Sequence, residues 1–441
     1  MTPGTEPHQI IVVDDLLPED IAMLQALYSR DPRSVLTHLD RIKEAGAGKF
    51  MGQYYVGYGH KSIGDCGTTT LFIEQVSMLG AKAIQHWPLY SGQESSTRYL
   101  DFSNRKILDP IGTFGSGEIH TLWMNLYHKA LKVLVPHLVE QYPITKDEDA
   151  SEKTRAEYKK AINAKAFDIA RSFLPAGMTT MASWHTNLRQ ANDHIKVMRH
   201  HPLSEMRKIA GEMLEALRVK YPNSFSHTTY PEDEAYLSMA RGMIEYNDFD
   251  KSVSGPSCSA HFKQNVLDKY GPLLQMRPPK SELPHELRKA GDIDFIFELD
   301  FGSWRDLQRQ RSMTYLMPLL TLHHGFEPWY LEQLPEKFRE LAKDEIDIIS
   351  SAIRKLDCDE PTRQYYIAMG FRVACDISCN LPSAVYIAEL RSKQDVHPTL
   401  RPVAGWIAGS LREYIPGIKL YEDKGPDKWS IRRGAQDITE K

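Results

Sequence analysis

At 441 residues the chain is long enough for two or three domains and a large core. Hydrophobic residues make up 41% and charged residues 25%, an ordinary globular balance. Lys and Arg (54) nearly match Asp and Glu (58), so no global basic field argues for nucleic acid as a partner, and any anionic ligand falls to local arginines.

Residues 1 to about 50 carry helical apolar spacing, Ile21, Met23, Leu24 and Leu27 and then Val35, Leu36, Leu39 and Ile42, before a glycine break at AGAGKF. Gly and Asp density marks GYGHKSIGDCG as turn-rich, and the β-branched, aromatic TTTLFIEQ from Thr68 predicts a strand. From Ser77 the period becomes helical, with Leu79, Ala83, Ile84 and Trp87, until Pro88 stops it. Further helices are expected over about 119–142, 152–173 and 179–198. HPLSEMRKIAGEMLEALRVKY reads as one more, with Met206, Ile209, Met213 and Leu217 on one side. From about 221 to 284 the chain is rich in Pro, Ser, His, Asp and Glu and is expected to be an irregular inter-domain stretch. FIFELDF then alternates like a half-buried strand, and GSWRDLQRQRSMTYLMPLL is expected to continue as a helix carrying Arg305, Arg309 and Arg311.

The opening MTPGTEPHQIIVVDDLLPED has no basic region ahead of an apolar one, and no run reaches about 18 apolar residues. No leader and no membrane span are expected, and the reading is a cytoplasmic protein. The five cysteines, Cys66, Cys258, Cys358, Cys375 and Cys379, form no Cys-x-x-Cys pair and read as reduced thiols. Cys375 and Cys379, four apart, are spaced to share a helix face as buried structural residues, and no metal site is expected.

One stretch concentrates chemistry. YSGQESSTRYLDF, Tyr90–Phe102, holds Ser91, Ser95, Ser96 and Thr97 as hydroxyl donors, Glu94 as an acid and Arg98 as a forked cation. These are phosphate-binding parts. Caps and turns after a helix use the same residue types, so composition leaves both readings open.

The second half repeats landmarks of the first. Asn187-Leu188 matches Asn380-Leu381, Met198-Arg199 matches Leu390-Arg391, and His201-Pro202 with Arg207 matches His397-Pro398 with Arg401. Agreement at long period points to an internal duplication. The expected organisation is α+β, with two copies of one unit over 1–220 and 285–441 joined by 221–284.

The order of Gly59-His60, strand, helix, Ser-x-x-x-Ser-x-Arg-Tyr, Leu-Pro, Asn-Leu-Arg and Glu-x-Arg resembles the flavin-dependent thymidylate synthase family, more fully over Gly59 to about Leu217 and in degenerate form over Phe295 to about Leu411. The resemblance implies small antiparallel sheets packed with long helices. It also implies FAD as cofactor, with NADPH and methylene-tetrahydrofolate as co-substrates in the C5 methylation of a pyrimidine deoxynucleotide, dUMP to dTMP. It places Glu94, Ser96, Arg98, Arg189 and Arg207 at the nucleotide, Ser96 and Arg207 among them in catalytic positions. His60, Asn187 and Arg199 would lie near the flavin. Sites in this family form where subunits meet, so a homodimer of tandem units, a pseudo-tetramer, is expected.

The chain departs from the family at one point. The Arg-His-Arg-x-x-Ser signature should occupy His86 to Ser91, where the chain reads HWPLYS; RQRSMT, Arg309–Thr314, keeps both arginines but is followed by no Ser-x-Arg-Tyr. The expectation is a division of labour in which the first half grips the nucleotide phosphate and Arg309 and Arg311 grip the flavin. A solvated helix face is the bland alternative for Arg305, Arg309 and Arg311. His86 reads equally as a replacement for a lost arginine or as a helix C-terminal partner. His397 reads as packed structure, and His201 stays open. The alternatives in function are a different C5 outcome, such as hydroxymethylation, or a nucleotide-binding homologue without turnover.

Overall fold

The computed structural model describes residues 11–246, 255–310 and 312–426. Helices and small sheets alternate along them, so the protein is α+β. The strands are β1 (Thr68–Ser77), β2 (Thr179–Asn187), β3 (Ser257–Ala260), β4 (Asp292–Asp300), β5 (Met313–Tyr315) and β6 (Arg372–Asn380). β1 and β2 form a two-stranded sheet, and the other four are ordered β3-β4-β6-β5 with every pair antiparallel.

The chain divides into two compact units, one of residues 1–71 and 183–238 and one of 72–182 and 239–441. These boundaries differ from the expected ones near 220 and 285, because each unit draws on segments far apart in sequence. In the smaller unit the helices Pro18–Tyr28 and Val35–Ala45 fall where the apolar spacing placed them, and Gly46, at φ 65°, ends the second in a conformation that favours glycine. The helix Ser204–Lys220 buries Met206, Ala210, Met213 and Leu217.

In the larger unit β4 buries Ile293, Phe295, Phe297 and Leu299, the alternation of a strand with one covered face. Phe295 pairs with Ile377 and Phe297 with Cys375 on β6, and Trp406 of the helix Arg401–Tyr414 packs edge-on against both phenylalanines. The helix Phe114–Gln141 begins five residues before the expected position, because Thr113 and Ser116 form a reciprocal capping box.

Four expectations fail. Residues 179–187 are a strand: Thr180, Ala182, Trp184 and Thr186 are buried while Met181 and His185 face out, a period of two, and the helix is only Leu188–Met198. The helix after β4 spans only Phe301–Leu307, since Met313–Tyr315 leave it to pair with Ile377–Cys379 as a sheet edge. Arg309 therefore sits in a turn, and Arg311 lies outside the described residues. The 221–284 stretch contains the helices Pro231–Ile244 and Gln264–Met276 and supplies β3 to the sheet. Cys375 and Cys379 share the buried face of a strand, not a helix.

A strand that ends in a capping side chain and runs straight into a helix occurs four times. Ser77, Asn187, Asp300 and Asn380 accept from the backbone N–H of Gly80, Gln190, Ser303 and Ser383, respectively. Within the larger unit the loops ahead of β2 and β6 also pair reciprocally. Ala176 and Gly177 donate to the carbonyls of Ile367 and Tyr365, and Met369 and Gly370 donate to those of Leu174 and Ser172. A Cβ on Gly177 would stand 2.7 Å from the Tyr365 carbonyl oxygen and 2.9 Å from that of Leu108. Gly177→Ala is therefore expected to cost about 1–3 kcal/mol, read as a lowered midpoint in urea denaturation.

Candidate functional site

The Tyr90–Phe102 stretch folds into the protein. Backbone bridging fixes it, with Glu94 against Ala182 and the Ser95 N–H on the Met181 carbonyl. Glu94 is buried. Its Oε2 lies 2.7 Å from Lys82 Nζ and accepts from Gln85 Nε2 at 2.9 Å, while its Oε1 pairs with Arg305. Arg305 also donates to Thr97 Oγ1 at 3.4 Å. Lys82 follows β1 on the helix Met78–Gln85, and Arg305 follows β4 on the helix Phe301–Leu307. Two equivalent strand-to-helix corners thus neutralise one carboxylate.

Arg98 is likewise engaged. Its Nε and Nη2 fork onto the buried Asp168 at 2.6 and 2.9 Å, and Nη2 also reaches the Asp395 carbonyl at 3.3 Å. Ser96 Oγ accepts from the Arg98 N–H, so here the serine shapes the turn. To contact a phosphate, Arg98 would have to exchange a bidentate carboxylate for it.

The remaining residues expected at the nucleotide and flavin lie in the smaller unit. Arg189 pairs with Asp65 at 2.7 Å, Asn187 caps its helix, Arg199 pairs with Glu234 at 2.8 Å, and Arg207 donates to the His201 and Pro202 carbonyls. His60 is exposed beside Tyr54 and Tyr58. The buried His201 accepts the Leu203 N–H on Nδ1 at a helix entry. His86 caps the end of its helix and stacks on Tyr315 with ring centroids 4.6 Å apart. The buried His397 bonds to Thr399 and Ser303, and burial first, then Arg171, hold it well below the usual histidine range.

The arginine of the second motif has a different setting. Arg309, Gln310 and Ser312 line a cavity of about 900 Å³ within the larger unit. The helix Leu381–Arg391 runs along it, with Pro382, Tyr386, Glu389 and Lys393 in one stripe at helical spacing. Ser383 donates to Ser312 at 2.9 Å, and Arg391 donates to the Asp306 carbonyl, so the helix lies alongside the 306–312 segment. The lining holds six basic side chains, Arg277, Lys280, Arg288, Arg309, Arg391 and Lys393, against two acids, Glu282 and Glu389. In a chain of net charge −4 this is a local reversal of sign.

Among the described residues Arg309 has no hydrogen-bond or ion-pair partner, and Arg391 Nε is buried without one. Burial lowers the Arg391 pKa; Asp306 opposes that shift and the neighbouring Arg309 adds to it. The guanidinium is thus undercompensated by the protein. Such a setting favours an anion. Arg391 was legible in sequence only as the counterpart of Arg199, and Ser383 only as a residue just beyond the Asn380-Leu381 landmark.

Comparison with known proteins places the chain. Residues 18–223 match the family described as thymidylate synthase complementing protein, and through that segment the chain is a member of this family. Three relatives extend the likeness over most of the chain. UPF0159 proteins of Chlamydia pneumoniae and Chlamydia muridarum are 24% and 26% identical, over 83% and 82% of this chain and 78% of each relative. A UPF0159 protein of Thermoplasma acidophilum is 22% identical over 92% of this chain and 96% of its own length. Among the described residues no group of three or more His, Cys, Asp or Glu could hold a metal ion, and no helix is long and apolar enough to cross a membrane.

Burial raises the pKa of Glu94, but Arg305 and Lys82 outweigh it and hold the carboxyl at about 2. The unfolded chain therefore takes up this proton first on acidification. The contribution of Glu94 to stability is complete above the ordinary carboxyl range near 4.5 and is lost as pH falls towards 2. Glu94→Gln leaves Lys82 and Arg305 facing each other and is expected to cost about 3–5 kcal/mol at pH 7. Urea denaturation should show the gap from wild type narrowing at pH 3.

Proposed function

We propose that the protein is a flavin-dependent enzyme that methylates C5 of a pyrimidine deoxynucleotide, dUMP to dTMP, with FAD as cofactor and NADPH and methylene-tetrahydrofolate as co-substrates. The carrying observation is the cationic cavity at Arg309. It holds the arginine of the one motif that keeps the family's Arg-x-Arg pattern, in a chain whose family membership rests on residues 18–223.

The donor set fits a flavin nucleotide. A phosphate needs fixed cations and hydroxyl donors, and Arg309, Arg391, Ser312 and Ser383 offer both on one cavity wall. Bound there, the flavin supplies the hydride chemistry. The chain's own residues hold and orient the cofactor: Arg309 and Arg391 as charge, the two serines as hydrogen-bonding groups. The thiols support a route without a cysteine nucleophile. Burial pushes Cys66, Cys358 and Cys375 up and holds Cys379 at about 12, all away from the thiolate.

Tandem duplication belongs to the same reading, supported by the recurrent strand-cap-helix corners and the reciprocal loops. A homodimer that brings four units together in the cytoplasm completes it, with Ser96, Arg98, Arg189 and Arg207 as the nucleotide contacts and His60, Asn187 and Arg199 near the flavin. A second reading, a nucleotide-binding protein without turnover, is favoured by the engagement of Arg98 with Asp168.

Purified protein is expected to show flavin absorbance, alone or after addition of FAD, and Arg309→Ala to reduce flavin content at least tenfold with an unchanged circular dichroism spectrum. NADPH-dependent release of tritium from C5-labelled dUMP, followed by product mass, then separates methylation from hydroxymethylation. Flavin binding without tritium release would select the second reading, and absence of flavin binding would remove both enzyme readings.

A further inference from the structure

The cavity has a second flank that the family motifs do not touch. It is built by residues 277–288, outside the 18–223 segment that matches the family, and it meets the helix Leu381–Arg391 on another side from Arg309. Arg277 anchors it. This buried guanidinium pairs with Glu389 on the helix and donates to the carbonyls of Ser281 and Lys419. The Tyr421 N–H donates in turn to Glu389, so the flank is tied down from both sides.

On this frame Lys280 and Arg288 line the cavity together with Lys393, just past the helix end. Among the described residues none of the three has a hydrogen-bond or ion-pair partner, and each comes from a different local element. The backbone of Lys280 adds an independent observation. The Ser281 N–H closes a turn onto the Pro278 carbonyl, with Pro279 preset at the second position and Lys280 at the third at φ 65°. That is the position of a type II turn where glycine or asparagine is favoured and a lysine is strained. The turn would form more easily without this side chain. Strain retained beside a cavity, at a residue whose charge faces like charges, points to a ligand that uses the charge.

We infer that Lys280, Arg288 and Lys393 form a second anion subsite, which takes the ribose 2′-phosphate of NADPH and so selects it over NADH. The inference rests on the reading that a flavin is held on the Arg309 flank, because a hydride donor has to enter the same cavity to meet it. The charges then divide. Arg309 and Arg391 serve the flavin phosphate, and the facing flank serves a separate phosphate monoester, a dianion that several convergent cations match better than one.

Isothermal titration calorimetry with NADP⁺ and NAD⁺ on flavin-loaded protein tests this without turnover. Wild type is expected to bind NADP⁺ at least tenfold more tightly than NAD⁺, the scale of one charge-assisted contact. Lys280→Gly is the informative variant, since it relieves the turn. It should keep or raise the Tm while weakening NADP⁺ about tenfold and leaving NAD⁺ unchanged, and Arg288→Ala should repeat the selective loss. A merely structural lysine predicts no change in either affinity. Equal loss for the two nucleotides, no loss, or equal wild-type affinities would overturn the subsite while leaving flavin binding intact. Failure of wild type to bind flavin would overturn the parent reading and this one together.

Discussion

The carboxylate of Glu94 is closed off from solvent and has two cations against it, Lys82 and Arg305, one from each of two similar strand-to-helix corners. Removing charges from water is expensive, and such a cluster adds little net stability over a well-packed apolar one. Its effect lies in geometry. Arg305 can reach Glu94 in only one rotation of the short helix Phe301–Leu307, and Gln308 then locks that rotation by donating to the Lys82 carbonyl and to Tyr315. Arg309 leaves the helix immediately afterwards, so its direction into the cavity is set by a charge cluster that never meets the ligand.

The larger unit thus separates two uses of arginine. Inside, each guanidinium has its acid or carbonyl: Arg98 with Asp168, Arg277 with Glu389, Arg305 with Glu94. Around the cavity the cations outnumber the acids, and Arg309 has no such partner among the described residues. The first kind fixes shape. The second leaves an electrostatic deficit that the protein does not fill from its own side chains.

Much of this was legible before the structure. Alternating phenylalanines gave β4, apolar stripes gave the helices of the smaller unit, and the Asn-Leu landmarks turn out to be helix caps at the ends of β2 and β6. The 179–187 strand was misread because Ala182 and Trp184 fit either period when the flanking context is helical. Spacing could not show that Glu94 and Arg98, which look like ligand contacts, are met by Lys82, Arg305 and Asp168 from remote segments. Nor could it show that Lys280, Arg288 and Lys393 converge, since a site assembled from three local elements leaves no motif. Arg309 was readable because its neighbours in sequence carry the pattern.

The reciprocal pairing of the 172–177 and 365–370 loops bears on how the chain comes to be folded at all. Trp123, buried in the first half, donates its indole N–H to the Tyr366 carbonyl, a contact spanning 243 residues. During synthesis the amides and carbonyls around Gly177 therefore wait, unpaired, until the later loop has left the ribosome. Loop closure over such a distance is slow compared with the formation of the helices on either side. The first half is left with exposed backbone edges for as long as translation of the second takes, an interval in which a chaperone or a neighbouring nascent chain competes for the same hydrogen bonds.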